Sequence, residues 1–236
     1  MISIVLPVFN EALILEKNAL QVFDFCQKNL SGDWQIIISD NNSADATGLI
    51  GEKLSHTHEK IKYFHLNSQG KGLAVISAWQ KFKSDIYIFM DIDLSVGLND
   101  LPALISAVKA GADIAAGSRF LPKSVVERSF ARKLFSIFLK NILKIIFNLK
   151  IKDAPCGFKA VNQQIVDSII PRVKNQTWFF DTELLILSER AHYKIKEIPV
   201  VWQEPRAANR KSKVSPMFVA FEYLKNIFRV YFSHHK

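Results

Sequence analysis

The sequence predicts an α/β protein in which helices cover both faces of a mostly parallel, Rossmann-like sheet. Short apolar runs of strand length alternate with helix-length segments through the first half of the chain, a pattern typical of parallel sheets. Polar residues follow several of these runs, at the sheet edge where such folds bind ligands. The 236 residues are 49% hydrophobic and 22% charged, with a mean hydropathy of +0.08. They suffice for one large core, so we expect a single domain over 1–236.

The expected elements of the first half follow one another in strict alternation. Continuous apolar runs predict strands at 2–8, 34–39, 61–66, 86–90 and 113–116. Apolar positions three and four residues apart predict helices at 11–29, 46–54, 72–82 and 98–110. Further along, 181–192 has a helical pattern and 195–202 a strand-like one.

Two long amphipathic helices are expected in the second half, at 133–152 and 216–233. The first confines its polar residues to one stripe: Lys133, Ser136, Lys140, Lys144, Asn148 and Lys152. Its lysines interrupt the apolar run too often for a membrane-spanning helix, which needs about 20 predominantly apolar residues. A broad apolar face beside a narrow basic stripe is typical of a helix lying in the bilayer interface. The alternative is that both helices simply pack onto the sheet.

The formal net charge of +9 is concentrated around the same two helices. Residues 120–160 hold nine Lys or Arg against two acidic residues, and 206–236 hold seven against one. Such segments bind nucleic acid or an anionic membrane surface. Because no zinc-finger, helix-turn-helix or aromatic RNA-binding pattern accompanies them, we expect a membrane and no nucleic acid.

The cysteines and the first residues of the chain indicate the compartment. Cys26 and Cys156 form neither a disulfide framework nor a metal-binding spacing, which predicts a reducing environment. The chain begins with a strand-like run rather than with a signal-peptide pattern. We therefore expect a cytoplasmic protein, bound peripherally to the inner face of a membrane.

Asp91 and Asp93 are the strongest candidate site residues, because they directly follow the apolar run Tyr87-Ile-Phe-Met90. Residues i and i+2 of a strand point to the same face, so the two carboxylates are expected to converge. Convergent carboxylates repel each other unless a cation lies between them, and hard divalent cations prefer oxygen ligands. The pair therefore predicts a Mg²⁺ or Mn²⁺ site. The alternative is a strand followed by an acidic turn.

Two other strand ends carry polar groups with two possible interpretations each. Asp40 is placed to accept an N–H of a nucleobase, or else to cap a helix or form an Asx-turn. Gly70-Lys71-Gly72 precedes a helix N-terminus, and its glycines and lysine favour contact with a phosphate. The alternative is a plain loop.

A possible phosphate clamp lies in the basic segment after the last strand of the first half. Arg119 follows that strand, while Arg128, Arg132 and Ser136 lead into the first amphipathic helix. Arg132 and Ser136 are four residues apart and so share the polar face of the helix. Together with Arg119 they are suited to hold a phosphate at a membrane surface. The alternative is contact with lipid headgroups.

Eight short motifs occur in an order that resembles the family 2 inverting glycosyltransferases of GT-A fold. The motifs are Pro7-Val-Phe-Asn-Glu11, Asp40-Asn-Asn-Ser43, Gly70-Lys-Gly72, Asp91-Ile-Asp-Leu-Ser95, Gly117-Ser-Arg119, Cys156-Gly-Phe-Lys159, Phe180-Asp-Thr-Glu183 and Glu197-Ile-Pro-Val-Val-Trp202. Within this family the chain is most similar to the polyprenyl-phosphate glycosyltransferases, the group of dolichyl-phosphate glucosyltransferase and mannose synthase. The resemblance covers nearly the whole chain.

The resemblance implies roles for particular residues. The donor-binding residues would be Pro7, Phe9, Glu11, Asp40, Lys71, Asp91 and Lys213, with the divalent metal on Asp91 and Asp93. The acceptor phosphate would lie against Arg119, Arg132 and Ser136, so that Asp93, Arg119 and Arg132 act at the reaction centre. Residues 1–119 would form the nucleotide-sugar half and 120–236 the acceptor and membrane half. The blocks at 156–159 and 181–183 would have structural or acceptor-side roles.

Three departures from the family pattern bear on the substrate and on membrane attachment. Asn41 stands where many relatives have a second acid, and Ser95 where mannose synthases often have a glutamine. The motif Asp91-Ile-Asp-Leu-Ser95 together with Gly70-Lys-Gly72 resembles the glucosyltransferases more closely, which favours UDP-glucose over GDP-mannose as the donor. Some relatives end in transmembrane helices, which are not evident in this sequence. We therefore expect attachment to the membrane surface, or to an anchoring protein partner.

The implied activity is metal-dependent transfer of a hexose to a polyprenyl phosphate, with inversion. A phosphomonoester has a second pKa of about 6, so the acceptor is largely dianionic at pH 7 and requires no strong base. The alternatives are a related glycosyltransferase with a saccharide or other non-lipid acceptor, and a non-catalytic module that binds nucleotide sugar or lipid.

Overall fold

The computed structural model describes residues 1–127, 130–203 and 216–233. The strands are β1 (Ile2–Val8), β2 (Trp34–Asp40), β3 (Ile61–His65), β4 (Ile86–Met90), β5 (Ile114–Ser118), β6 (Val125–Glu127), β7 (Phe158–Asn162), β8 (Ile195–Pro199) and β9 (Val201–Gln203). The helices are α1 (Leu15–Asn29), α2 (Thr47–Thr57), α3 (Lys71–Lys81), α4 (Leu101–Lys109), α5 (Phe130–Phe147), α6 (Gln163–Ser168), α7 (Phe180–Arg190) and α8 (Pro216–Ser233).

Among the described residues, seven strands form one sheet in the order β3-β2-β1-β4-β7-β5-β8. All neighbouring strands run parallel except β7, which is antiparallel to both β4 and β5. The chain order reverses at β1, which lies between β2 and β4. Ligands in such sheets bind outside the carboxyl ends of the strands at this reversal. The topology therefore locates the candidate site at the ends of β1, β2 and β4.

Apolar side chains pack on both faces of the sheet. Neighbouring residues of β1 alternate between the two layers, so that Ile4 belongs to one core and Val5 to the other. Buried residues of α1, α2 and α4 form the first layer, while α3, α5, α6, α7 and α8 contribute to the second. Helices thus cover both faces, which confirms the α/β class predicted from the sequence.

The largest differences from the predicted elements lie at helix ends. The first helix was expected to begin at 11 but begins at Leu15, after a turn in which the N–H groups of Ile14 and Leu15 donate to the carbonyl oxygen of Glu11. Helix α5 was expected to run to 152 but ends at Phe147, since Asn148 has a φ of 53° and reverses the chain. The strand expected at 195–202 is divided between β8 and β9, and β9 pairs with β6 in a second sheet.

Strand β7 and helix α6 were not predicted. Lys159 is the second of the five residues of β7, and a lysine inside a short apolar run argues against a buried central strand. The sequence gives no local indication that this segment enters the sheet between β4 and β5.

Helices α5 and α8 each bury one face and expose another that is also apolar. Leu139 and Leu143 of α5, and Tyr223, Ile227 and Val230 of α8, are buried in the second core layer. The exposed apolar residues are Leu134, Phe138 and Ile145 on α5, and Phe221, Leu224, Phe228 and Phe232 on α8. In the part of the chain that is described, no helix combines the length and the apolar character needed to cross a bilayer.

Candidate active site

Asp91 follows β4 directly and lies in the crevice at the carboxyl ends of the central strands. Its Oδ1 accepts a 2.6 Å ion pair from Nζ of Lys71, the first residue of α3. Its other side rests on Gly157, where a Cβ atom would lie 2.9 Å from the carboxyl carbon of Asp91. Desolvation raises the pKa of Asp91, the Lys71 ammonium opposes this rise, and the nearby Asp93 adds to it.

Asp93 is oriented by Ser95. Its Oδ1 accepts hydrogen bonds from the backbone N–H of Ser95, at 3.1 Å, and from the Ser95 hydroxyl, at 2.6 Å. Ser95, which stands where mannose synthases often have a glutamine, therefore orients the Asp93 carboxylate.

The residues at this edge fit a hard divalent cation. The repulsion from Asp93 that raises the pKa of Asp91 is the kind that a cation between the two carboxylates relieves. Within the described ranges, no group of three or more His, Cys, Asp and Glu residues forms a complete protein cage for a metal. Mg²⁺ and Mn²⁺ are commonly held by one or two carboxylates together with substrate phosphates. Asp91 and Asp93 match this mode of binding.

Lys71 is held beside Asp91 by a close-packed turn. Oδ1 of Asn41 accepts a 2.5 Å hydrogen bond from the N–H of Gly70, which ties the end of β2 to this turn. A Cβ atom at Gly70 would overlap the carbonyl oxygen of Gln176, and one at Gly72 would lie 2.6 Å from Cβ of Phe180. The glycines thus permit contact with the segment at 176–180.

The N-terminus of α3 is already capped by that segment. The N–H groups of Gly72 and Leu73 donate to the carbonyl oxygens of Thr177 and Gln176, at 3.1 and 2.8 Å. The sequence of this turn is compatible with either a phosphate contact by the helix terminus or a plain loop. The observed hydrogen bonds leave the Lys71 side chain as the part of the turn suited to bind an anion.

The Lys71 ammonium lies among acids and rings. It is 5.1 Å from the ring centroid of Trp178 and 5.8 Å from that of Phe89. Desolvation lowers the pKa of Lys71. The negative charges of Asp91, Asp181 and Asp93 raise it by a larger amount, so the net shift is upward. Lys71 therefore remains charged at neutral pH.

Asp40 is buried and fully engaged inside the protein. Its Oδ2 accepts hydrogen bonds from the hydroxyl of Tyr63 at 2.6 Å and lies 3.2 Å from Nδ1 of His65, while its Oδ1 accepts from the N–H of Ser43 at 3.0 Å. Burial and the Asp40 carboxylate also raise the pKa of Tyr63. The Asx-turn interpretation matches the bond to Ser43. Contact with a nucleobase remains a prediction.

The residues after β1 fix the loop that follows β2. Oδ1 of Asn10 accepts from the N–H groups of Ala44 and Asp45, and the N–H of Glu11 donates to the Thr47 hydroxyl at 2.7 Å. Pro7 and Phe9, the remaining predicted donor residues of this segment, are both partly buried. These hydrogen bonds tie the loop after β1 to the loop after β2.

Arg119 directly follows β5 and is bound by Asp153 through both its side chain and its backbone N–H. Its Nε and Nη2 donate to the two carboxylate oxygens, each at 2.8 Å, and its backbone N–H donates to Oδ2 at 2.7 Å. Desolvation lowers the pKa of Arg119, but Asp153 more than compensates and raises it. Nη1 takes no part in this ion pair. A role in holding the acceptor phosphate therefore rests mainly on that nitrogen.

The other predicted acceptor residues are only partly described. Ser136 lies on α5 and is partly buried. Arg132 belongs to the first turns of α5, but its side chain is outside the described part. Arg128 and Lys213 lie outside the described residues altogether.

Two buried charges at this edge were missed as site residues by the sequence analysis. The side chain of Lys159 is completely buried, and its Nζ donates to Asp181 Oδ2 at 2.9 Å. The blocks containing both residues were recognised from the resemblance, but nothing in their local pattern indicated that the two charges pair.

The fold and this crevice define a glycosyltransferase of GT-A type. The chain belongs to glycosyl transferase family 2, whose pattern matches residues 3–170. It is 28% identical to the glycosyltransferase AglD of Haloferax volcanii, over 86% of this chain and 33% of that protein. It is also 28% identical to the dolichyl-phosphate beta-glucosyltransferase of Saccharomyces cerevisiae, over 86% of this chain and 67% of that protein. It is 28% identical to the dolichol-phosphate mannosyltransferase of Pyrococcus furiosus, over 97% of this chain and 63% of that protein. The chain thus spans between a third and two thirds of these relatives.

Solved structures with low sequence identity share the fold. Glucosyl-3-phosphoglycerate synthase from Mycobacterium tuberculosis, crystallised with Mn²⁺, UDP and glucosyl-3-phosphoglycerate, superposes with a TM-score of 0.70 at 16% identity. The match covers 97% of this chain and 77% of that one. The mannosyltransferase PcManGT from Pyrobaculum calidifontis, in complex with GDP-mannose and Mn²⁺, superposes with a TM-score of 0.57 at 14% identity. That match covers 96% of this chain and 69% of the other. Both neighbours were crystallised with Mn²⁺, and their likeness to this chain is one of fold.

Proposed function

We propose that this protein transfers a hexose from a nucleotide sugar to a polyprenyl phosphate at a membrane surface, with inversion at the anomeric carbon. UDP-glucose is the favoured donor and GDP-mannose the alternative. The proposed location is the inner face of a membrane, with the protein bound peripherally. An anchoring protein is not part of the proposal, because no named relative points to one.

The donor side of the proposal rests on the charges at the end of β4. Asp91 and Asp93 would hold Mg²⁺ or Mn²⁺, which when bound neutralises charge on a leaving nucleoside diphosphate. Lys71, positioned beside Asp91, brings a further positive charge to the same place. Pro7, Phe9, Glu11, Asp40 and Lys213 complete the proposed donor set.

The acceptor side requires positioning rather than a base. A dianionic lipid phosphate is already nucleophilic, so holding it against the anomeric carbon is the main requirement. Nη1 of Arg119, Ser136 and Arg132 are the proposed contacts. In-line attack by a phosphate oxygen would displace the nucleoside diphosphate, which leaves with the bonding electron pair.

The exposed apolar faces of α5 and α8 favour a lipid acceptor. Phe221, Phe228 and Ile145 are 68, 59 and 82% exposed. Contiguous apolar surface of this kind is uncommon on a soluble protein and marks a binding surface. Lys133, Lys144 and Lys225 are exposed on the same two helices, which suits an interface with anionic headgroups.

The observation that carries the proposal is the Asp91–Lys71 pair, with Asp93 beside it, at the carboxyl end of β4 in a family 2 glycosyltransferase. The test is incubation of radiolabelled UDP-glucose or GDP-mannose with a short polyprenyl phosphate in detergent, with Mg²⁺, with Mn²⁺ or with EDTA. We expect a metal-dependent product that partitions into organic solvent, with UDP-glucose the better donor. Free sugar alone, or no turnover by folded protein, would contradict the proposal.

A second candidate acceptor is a small phosphorylated acid. The structural neighbour from Mycobacterium tuberculosis was also crystallised with phosphoglyceric acid, Mn²⁺ and UDP. Phosphoglycerate and polyprenyl phosphate should therefore be compared in the same assay. A labelled product that stays in the aqueous phase and requires phosphoglycerate would favour the second acceptor.

A further inference from the structure

Lys159 is a fully buried lysine whose three donors all have partners. Its Nζ donates to Oδ2 of Asp181 at 2.9 Å, to the carbonyl oxygen of Ala154 at 2.8 Å and to that of Cys156 at 2.5 Å. The ammonium also lies 5.5 Å from the ring centroid of Phe89. An ammonium group has three N–H donors, so this arrangement satisfies it completely.

Stability alone is a weak reason to keep this pair. Removing two charges from water is costly, and buried ion pairs can often be replaced by apolar residues without loss of stability. Lys159 sits in the central strand β7, opposite Phe89 of β4 and Ala116 of β5. An apolar residue there would pack in the same core. What an apolar residue could not do is bind the Asp181 carboxylate and the carbonyl groups of Ala154 and Cys156 at the same time.

Those groups form the wall behind Asp91. Met90 pairs with Phe158 in the antiparallel register, so Asp91 and Gly157 follow immediately at the site edge. The two carbonyl groups bound by Lys159 belong to the turn that leads into Gly157. The Asp91 carboxylate lies so close to Gly157 that no side chain fits between them. The position of this turn therefore determines the position of Asp91.

Asp181 links the same lysine to the other side of the crevice. It lies in the first turn of α7 and is almost completely buried. Its charge acts on both Lys71 and Asp91. Asp181 thus connects the buried Lys159 ammonium to the site that holds Asp91 and Lys71.

We propose that Lys159 and Asp181 are positioning residues for donor binding: together they hold the turn at 154–157 behind Asp91. This inference rests on the proposed function, because it assigns the pair to the binding of a nucleoside diphosphate with a divalent cation. Neither residue is proposed to touch the reacting atoms.

The first test compares Lys159→Met with Arg229→Met. Arg229 is the matched control, because it pairs at 2.7 Å with the buried Glu183 on the same helix as Asp181, yet belongs to α8. Affinity for UDP and for GDP, each with Mn²⁺, is measured by calorimetry well below the melting temperature, which is recorded separately. We expect affinity to fall about 10- to 100-fold in Lys159→Met, as for residues that orient metal ligands. Arg229→Met should have a lower melting temperature but an unchanged affinity for UDP and GDP.

The double variant Lys159→Met/Asp181→Asn separates positioning from stability. It leaves neither charge buried alone, so its melting temperature should exceed that of Lys159→Met, while its affinity should remain low. Asp181→Asn alone leaves the buried Lys159 ammonium without its ionic partner, which should loosen the turn at 154–157 and also weaken binding. These two variants test the inference if Lys159→Met does not fold.

Three outcomes would overturn the inference. Wild-type affinity in folded Lys159→Met, or affinity that recovers in step with melting temperature in the double variant, would leave the pair a purely structural role. The proposed function would survive either result. Wild-type protein that binds neither nucleotide with Mn²⁺ would overturn the proposed function and this inference together.

Discussion

Gly157 is the residue on which the position of the Asp91 carboxylate depends most directly. A Cβ atom there would lie 2.9 Å from the carboxyl carbon, so Gly157→Ala must displace Asp91. We expect affinity for a nucleoside diphosphate with Mn²⁺ to fall about 10- to 100-fold, as when a metal ligand is misplaced. Calorimetric titration of the folded variant measures this directly.

Gly97→Ala is the matched control for this substitution. A Cβ atom at Gly97 would find only the carbonyl oxygen of Val201, at 3.8 Å, and the backbone φ of −64° suits alanine. Its affinity should equal that of the wild type. Equal affinities in both variants would mean that Asp91 does not bind the donor complex.

Both cysteines should be unreactive in the native protein. Burial raises the pKa of each thiol, Cys26 and Cys156, from 9.0 to about 12. A raised thiol pKa means that the neutral form persists at pH 8, with a thiolate fraction of only about one in ten thousand. We expect no reaction with a thiol-specific chromogenic reagent at pH 8 until denaturant is added, and then two equivalents. Rapid native labelling would contradict the buried positions.

The candidate site was predicted from the sequence where chemistry is concentrated in short motifs. Asp91 and Asp93 could be recognised because an apolar strand ended in two acids, and Lys71 because glycines flanked it. Asn41, by contrast, was noted only as a departure from the family pattern, yet it fixes the turn that carries Lys71. Its partner lies 29 residues away, and a contact of that kind has no periodicity to reveal it.

At the level of elements, α5 and α8 are apolar around most of their circumference. The sequence predicted two amphipathic helices but weighed membrane contact against packing on the sheet. The structure shows packing by one face of each helix, while a second apolar face remains exposed. Hydrophobic periodicity could not separate these faces, because polar residues such as Asn226 lie on the buried side of α8.

The exposed face of α8 should determine binding to lipid vesicles. Phe221→Glu/Phe228→Glu places two charges on that face without touching the buried residues. Each aromatic ring withdrawn from the bilayer loses roughly 1.5–3 kcal/mol of transfer free energy, so co-sedimentation with anionic vesicles should fall by about tenfold or more. Melting temperature should change little.

Leu49→Glu is the matched control for the vesicle experiment. Leu49 is 73% exposed on α2 and is apolar like the α8 residues, but α2 packs in the other core layer. Vesicle binding by this variant should equal that of the wild type. An equal loss in both variants would indicate that added negative charge alone, rather than the α8 face, reduces binding.

At the scale of the whole molecule, the two proposed functional halves share one sheet. Strands β7 and β8 come from the second half, and β7 lies between β4 and β5 of the first. The parallel order of the first strands follows from βαβ alternation, which the sequence displays. The insertion of β7 does not, because it pairs residues about 70 positions apart in sequence and because Lys159 interrupts the apolar pattern of the strand.

Because the two halves share one sheet, one substitution in each half tests whether donor and acceptor bind independently. Asp91→Asn should abolish measurable binding of UDP with Mn²⁺, because it removes a carboxylate ligand. Arg132→Ala should leave that binding unchanged and raise the KM for polyprenyl phosphate by about 10- to 100-fold, the loss of one charge-assisted hydrogen bond. Steady-state kinetics with either substrate varied, together with calorimetry, measure both effects. An unchanged acceptor KM and kcat in Arg132→Ala would remove that residue from the acceptor site. A parallel loss of UDP affinity would instead show that the two halves bind their ligands as one unit.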